Sequence, residues 1–224
     1  MSQKSILIVE SPTKVKTIQK YLNDDYDVIS CVGHVKDLPS NELGIDIENN
    51  FEIKLSVLPD KKKFISELQK KSKKAPRVLI ATDPDREGEA IAAHLATEVP
   101  EEKMERVQFT EITKAGIIDG INNVRGIDTD LVKAQTARRI IDRLVGYKVS
   151  PVLWATLQSN MKFVNTTLSA GRVQSSAVKL VVDKDRLRVK YHKTNYYDLK
   201  ARFIQNNITF EANLTKLNND KIAS

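Results

Sequence analysis

Val78-Leu79-Ile80-Ala81-Thr82, followed by Asp83-Pro84-Asp85-Arg86-Glu87, decides how this chain is read. The first five residues have the length and apolarity of a buried strand, and the helix-favouring stretch 87–97 predicts the helix after it. Asp83, Asp85 and Glu87 thus fall at the carboxyl end of a strand, alternating along an extended segment so that all three can face one side. Ser5-Ile6-Leu7-Ile8-Val9 is a second such run, ending in Glu10-Ser11-Pro12-Thr13-Lys14 and leading into a helix. In open α/β sheets, sites gather beyond the carboxyl ends of neighbouring strands. Four carboxylates converging there repel one another unless a divalent cation bridges them. Mg²⁺ suits such a place, because it takes one or two carboxylates and leaves its other positions to water and phosphate. The pattern points to phosphoryl-transfer chemistry.

Working outward, predicted strands at 5–9, 26–32, 77–82 and 105–109 alternate with helices at 12–22, 60–73, 87–98 and 112–122, with a further strand near 51–58. That alternation predicts an α/β fold, a mostly parallel sheet with helices on both faces. Asn122-Asn123-Val124-Arg125-Gly126 carries turn residues and ends the pattern. A helix is then expected over 129–147, with Leu131, Ala134, Ala137, Ile140, Ile141 and Leu144 at helical spacing and Arg138, Arg139 and Arg143 on other faces. Asp128 or Thr129 would cap it. A second helix over 151–157 would carry proline in its first turn, and a third spans 172–189. Strands at 195–204 and 208–214 flank a turn at Gln205-Asn206-Asn207. The expected organisation is one domain over 1–125 and the start of another, helical and then a β hairpin, over 126–224. The chain stops soon after that hairpin and reads as truncated.

The 224 residues are 41% hydrophobic and 29% charged, ordinary values for a globular chain with ample material for a core. No apolar run is long enough to span a bilayer, and the N-terminus lacks the basic-then-apolar order of a secretory signal. The single cysteine, Cys31, rules out an internal disulfide framework and fits a reducing cytosol. Residues 1–125 hold 19 Lys and Arg against 21 Asp and Glu, and 126–224 hold 17 against 8, so the positive excess lies in the second half. A basic half beside a half whose acids bind metal suits an enzyme acting on a polyanion, although a solvated basic surface gives the same count. The lysines at 61–63, 70–71 and 73–74 read as the solvated face of one helix.

Six strings, in order, carry a resemblance: Val9-Glu10-Ser11-Pro12-Thr13-Lys14; Gly33-His34-Val35-Lys36-Asp37-Leu38-Pro39; Ala81-Thr82-Asp83-Pro84-Asp85-Arg86-Glu87-Gly88-Glu89-Ala90; Phe109-Thr110-Glu111-Ile112-Thr113-Lys114; Ala137-Arg138-Arg139 through Asp142-Arg143; and Leu168-Ser169-Ala170-Gly171-Arg172-Val173-Gln174-Ser175. The chain resembles the Toprim domain and the following region of type IA DNA topoisomerases, and more closely the bacterial topoisomerase I branch. The resemblance implies an Mg²⁺-dependent, ATP-independent enzyme that cleaves and rejoins one DNA strand through a 5′-phosphotyrosine and relaxes negative supercoils. It implies DNA as partner, single-stranded regions above all, with no membrane and no nucleotide cofactor, and a cytoplasmic, nucleoid-associated location.

The resemblance also implies roles. Glu10 matches a glutamate that serves in proton transfer at the departing 3′ oxygen, and Lys14 one that faces the scissile phosphate. Glu10, Asp83, Asp85 and Glu87 match the metal set, with Glu89 less clearly part of it. DNA contacts are implied for His34, for Arg138, Arg139, Asp142, Arg143 and Lys148 on one helix, and for Ser169, Ala170, Gly171, Arg172, Val173 and Gln174. Bland readings stand beside these. Glu10 can be a helix N-terminal acid, and Asp83–Glu87 a capping cluster paired with Arg86. The arginines can simply solvate a helix, Tyr147 can stack on a base or pack, and Trp154 reads as core. A phosphate-accepting response regulator also ends strands with acids, but has no need of the segment 169–174. The chain departs from the family in the longer stretch 158–167 and in Ala93, where a Trp is common.

None of Tyr21, Tyr26, Tyr147, Tyr191, Tyr196 and Tyr197 lies in the family's nucleophile context, so the nucleophile is expected beyond residue 224 and the chain alone is expected to be inactive. The alternatives are a reverse gyrase module or a topoisomerase III, and a non-catalytic Toprim module that binds nucleic acid. A start at Met1 just before the first strand argues against the reverse gyrase, Glu-Ser-Pro-Thr-Lys against topoisomerase III, and the presence of all four acids against the non-catalytic module.

Overall fold

The computed structural model describes residues 3–22, 24–157, 168–193, 198–218 and 220–221. They fall into two compact units, 1–174 and 175–224.

The first unit is built on strand β1 (Ser5–Val9), whose central residues are fully buried. It pairs in parallel with β2 (Tyr26–Ser30) on one side and β7 (Val78–Ile80) on the other, and β8 (Met104–Arg106) continues the sheet beyond β7. Side chains alternate across a strand, so β1 feeds two separate cores. Ile6 and Ile8 join Ile65 and Leu68 of helix α2 (Lys62–Lys74) and Ile91 and Leu95 of α3 (Arg86–Ala96). Leu7 and Val9 join Ile18 of α1 (Pro12–Gln19) and Ile117 and Ile121 of α4 (Lys114–Asn122). Burial of each of these side chains contributes about 1.5–3 kcal/mol. The expected parallel sheet with helices on both faces is what forms, with element ends shifted by a few residues.

The chain leaves β1 toward β2 and later returns on β1's other side as β7. The crevice between the carboxyl ends of β1 and β7 is therefore a topological switch point, where ligands bind in open α/β sheets. Glu10 and Asp83 both follow into that crevice.

Between β2 and α2 lie two small antiparallel pairs, β3 (Lys36–Asp37) with β6 (Ser56–Val57) and β4 (Ile45–Asp46) with β5 (Glu52–Ile53). The strand expected near 51–58 is thus two short strands, because each pairs with a different partner. Likewise the strand expected over 26–32 ends at Ser30, since Val32 and Gly33 take positive φ.

Helix α5 (Thr129–Thr156) packs along α3, which places residues 126–174 in the same compact unit as the sheet. Asp128 caps it, accepting from the amides of Asp130 and Leu131. A break before Pro151 was expected, but one helix of 28 residues runs through it. Proline there removes the donor to the Tyr147 carbonyl and crowds that carbonyl with its ring. The neighbouring Ser150 is buried and its Oγ accepts from the Ala170 amide at 2.9 Å, so packing holds the helix across the missing bond.

Helix α6 (Arg172–Lys190) begins at the end of the first unit and runs into the second. The second unit also holds the antiparallel pair β9 (Lys200–Gln205) and β10 (Ile208–Asn213), then β11 (Lys216–Leu217) with β12 (Asp220–Lys221). Asn206 and Asn207, both at positive φ, make the two-residue turn that suits the twist of a hairpin. Phe203 and Phe210 stack across it at 5.3 Å. The expected start of the first hairpin strand, 195–197, lies outside the described residues, as do Tyr196 and Tyr197 and the stretch 158–167.

Candidate active site

Ser11 caps α1 by accepting from the Lys14 amide, and Pro12 supplies the fixed φ of a first helical residue. This fixes Glu10 just before the helix and Lys14 one turn into it, on the same face. The Lys14 ammonium donates to Glu10 Oε1 at 2.7 Å and also to the Asp83 carboxylate. It therefore bridges the ends of the two strands. Burial pushes the Glu10 carboxyl above its ordinary value, and its hydrogen bond to Asp83 adds to this against the pull of Lys14. Asp83 moves the opposite way, held down first by that bond to Glu10 and then by Lys14. Burial works against the Lys14 ammonium, but Asp83 and Glu10 outweigh it and raise its pKa. The two neighbouring carboxyl groups thus shift in opposite directions, beside a cation.

The four acids do not converge as expected. Asp85 is extended, but α3 starts at the next residue, so the segment is not extended as far as Glu87. The Asp85 carboxylate instead caps α3, accepting from the Gly88 amide at 2.7 Å. Glu87 lies in the first helical turn and meets His34 Nε2 at 3.1 Å and Gln135 Nε2 at 3.2 Å. Among the described residues, no three or more His, Cys, Asp or Glu side chains group as a metal centre. The pair that does meet, Glu10 and Asp83, suits Mg²⁺ chemically: two hard carboxylates already share one positive charge. Gly88 makes the turn possible, since a Cβ there would lie 2.1 Å from the Asp83 carbonyl oxygen.

Sequence reasoning missed what supports this turn. Arg106, wholly buried at the end of β8, donates to Glu89 Oε1 from Nε at 3.0 Å and from Nη2 at 2.6 Å. It also donates to the carbonyls of Ile80, Val107 and Asp83, the last at 3.1 Å. Glu89, equally buried, further accepts from Arg125 and from the Asp128 amide at 2.9 Å. Burial opposes the Glu89 charge, but Arg106, the Asp128 amide and Arg125 hold its pKa below the ordinary 4.5. Glu89 therefore belongs to this internal network rather than to the acids of the crevice. The sequence did carry a signal: Glu89 shares the buried face of α3 with Ala92, where a charge requires a partner.

His34 follows the positive-φ pair Val32 and Gly33 and lines a cavity of about 280 Å³ with Glu87, His94, Gln135, Arg138 and Asp142. Burial, with His34 and Lys36 nearby, brings the His94 imidazole down to about 4, so it is neutral at physiological pH. The α5 arginines have partners within the unit. Arg139 makes a two-pronged pair with Asp37, Arg138 sits 3.7 Å from Asp142, and Arg143 donates to the Pro39 carbonyl at 2.8 Å. Arg143 also lies over the Tyr147 ring, whose hydroxyl donates to the Ser40 carbonyl at 3.0 Å. Lys148 is exposed.

The segment 168–174 returns along α5. Ala170 is tied to Ser150, Gln174 donates to the Ser169 carbonyl, and Arg172 Nε meets Asp142 Oδ1 at 2.6 Å, lowering the Asp142 pKa. Gly171 precedes the helix, and Val173 is exposed. Trp154, expected in the core, is 43% exposed and donates from its indole N–H to the Leu168 carbonyl. The ring thus lies at the rim, with its polar edge satisfied by that carbonyl. Among the described residues no helix is long and apolar enough to cross a membrane.

Two family models match the chain. The Toprim domain family matches residues 5–112, and the DNA topoisomerase family matches 126–223. Full-length topoisomerase I from Thermotoga maritima is similar over 98% of this chain, at 38% identity and a TM-score of 0.74. The chain spans 36% of the length of that structure. With a Toprim sheet whose switch point joins Glu10, Lys14 and Asp83, and with both families matched in order, the chain belongs to the bacterial DNA topoisomerase family.

Proposed function

We propose that this chain supplies the acid-bearing and metal-binding part of a type IA DNA topoisomerase, which cleaves and rejoins one DNA strand without ATP and relaxes negative supercoils. On this reading 1–125 is the Toprim domain and 126–224 begins the central region, with the nucleophilic tyrosine outside this chain. The protein works on single-stranded stretches of DNA in the cytoplasm. The observation that carries the reading is the Glu10–Lys14–Asp83 cluster at the switch point between β1 and β7.

Its chemistry follows from the residues. Glu10 is the group that passes a proton to the departing 3′ oxygen and takes it back on resealing, and burial moves its pKa in the direction such a role requires. Lys14 meets the negative charge that builds on the scissile phosphate. Mg²⁺, when bound by Asp83 and Glu10 with Asp85 and Glu87 close by in sequence, supplies Lewis-acid charge and orients phosphate oxygens. Asp85 and Glu87 have to leave their present partners to join it. The cavity beside His34 and Arg138, and the segment Ser169–Gln174, line the path assigned to the strand. Arg139 and Arg143 contribute through the loop 37–42 that they fasten.

Calorimetric titration of Mg²⁺ into the chain tests this. Weak binding is expected, and it should vanish when Asp83→Ala and Asp85→Ala are combined. Undiminished binding by that variant, or relaxation of a supercoiled plasmid by the chain alone, would overturn the assignment.

A further inference from the structure

Lys14 has two anionic partners in the structure and a third in the reaction proposed above. Its ammonium donates to Glu10 at 2.7 Å and to Asp83, joining carboxylates that follow two different strands. The three side chains are partly shielded, with 23% of Lys14, 23% of Glu10 and 49% of Asp83 exposed, so the pairing is more than a loose surface contact. Were both ionised with no cation between them, the two carboxylates would repel across the crevice. The backbone of Lys14 is fixed by the Ser11 cap and Pro12, whereas its four-carbon stem is free to rotate.

We propose that Lys14 is a place-holder for the divalent cation: without metal its ammonium fills the cation position between Glu10 and Asp83, and metal binding expels it toward the phosphate. This rests on the reading of Glu10 and Asp83 as metal ligands. An ammonium and a divalent ion cannot both sit against the same carboxylate oxygens, because at such distances like charges repel strongly in a shielded site. A metal that takes those two oxygens displaces Lys14, and the scissile phosphate is the anion proposed for the freed ammonium. The same contact keeps the two acids assembled before metal arrives. Lys14 thus lowers the affinity for metal while keeping its site formed.

The proposal predicts the opposite of damage. Lys14→Met keeps the stem and removes the charge. At pH 8 and without DNA, it should bind Mg²⁺ about three- to tenfold more tightly than the parent chain by calorimetry, since two partly exposed ion pairs no longer have to be broken. Lys14→Arg should stay within about twofold of the parent, because a guanidinium also bridges two carboxylates. In the unaltered chain, saturating Mg²⁺ should speed acetylation of the Lys14 amine, followed by mass spectrometry. Unchanged or weaker Mg²⁺ binding by Lys14→Met, or an acetylation rate indifferent to Mg²⁺, overturns the place-holder role. If Asp83→Asn binds Mg²⁺ as the parent does, or the parent binds none, the metal assignment itself fails and this proposal with it. Metal binding that needs Asp83 but does not tighten in Lys14→Met defeats the place-holder alone.

Discussion

Two acid–base clusters grow from one stretch of chain, Asp83 to Glu89, and they behave oppositely. Glu89 and Arg106 are wholly buried, and the Glu89 carboxylate accepts from Arg106, Arg125 and the Asp128 amide. The Asp83 cluster is partly open, with two carboxylates held by one ammonium. In the first, donors outnumber acids and the charges are locked. In the second, acids outnumber cations; burial moves the Glu10 pKa up, while the bond to Glu10, and then Lys14, moves that of Asp83 down. A satisfied charge network gives the fold its rigidity, and an unsatisfied one keeps chemical capacity in reserve. Residue type alone does not separate them; burial and partner count do.

The comparison breaks most visibly at Glu10. In a form of the enzyme that carries the nucleophilic tyrosine, Glu10→Gln should slow single-turnover cleavage of a labelled oligonucleotide by about 10²–10⁴-fold while sparing single-strand binding. Cleavage at the parent rate would show that the proton does not pass through Glu10. At the buried cluster the loss should appear in stability instead. Glu89→Ala leaves Arg106 without its counter-charge and should destabilise the first unit by about 3–5 kcal/mol in urea unfolding, because a buried ion pair is broken on one side. A smaller change, with catalysis lost, would move Glu89 into the open cluster.

A third test uses pH. His94, brought to about 4 from 6.5 first by burial and then by His34 and Lys36 against Asp37, refuses a proton that the unfolded chain accepts between those values. Stability should therefore fall as pH drops from 6.5 toward 4, by on the order of 3 kcal/mol, and His94→Leu should flatten that slope. Glu89 adds a second loss at lower pH, as its depressed carboxylate is protonated below 4.5. The smallest effects should come from the outer charges. Charge reversal at Arg139 or Arg172 should weaken single-strand binding by roughly tenfold at low salt, and reversal at Lys62 or Lys73 by less than about twofold. Equal losses at both pairs would mean that binding is diffuse over the basic surface.

What could be read from sequence was set by local spacing. The alternation of Ile6 and Ile8 with Leu7 and Val9 gives the strand and its two covered faces, and the four-residue step from Glu10 to Lys14 places both on one helix face. The turn at Asn206-Asn207 is equally local. What escaped depends on distance along the chain or on competing demands for one atom. Arg139 looks free for phosphate until Asp37, 102 positions away, takes its guanidinium. Asp85 looks unengaged until the need to cap α3 claims one of its oxygens. Pro151 looks like a helix start because its local rule holds, and only the contact of Ser150 with Ala170 shows why the helix runs on.

Because α5 does not break at Pro151, it is a single rod about 42 Å long at 1.5 Å per residue. One end is pinned by Asp128 to the Glu89 cluster, Gln135 reaches Glu87, Arg139 grips Asp37, and Ser150 near the far end holds the segment at Ala170. A beam fastened along its length resists tilting, so the rod fixes the distance between the acids near one end and the Ala170 segment near the other.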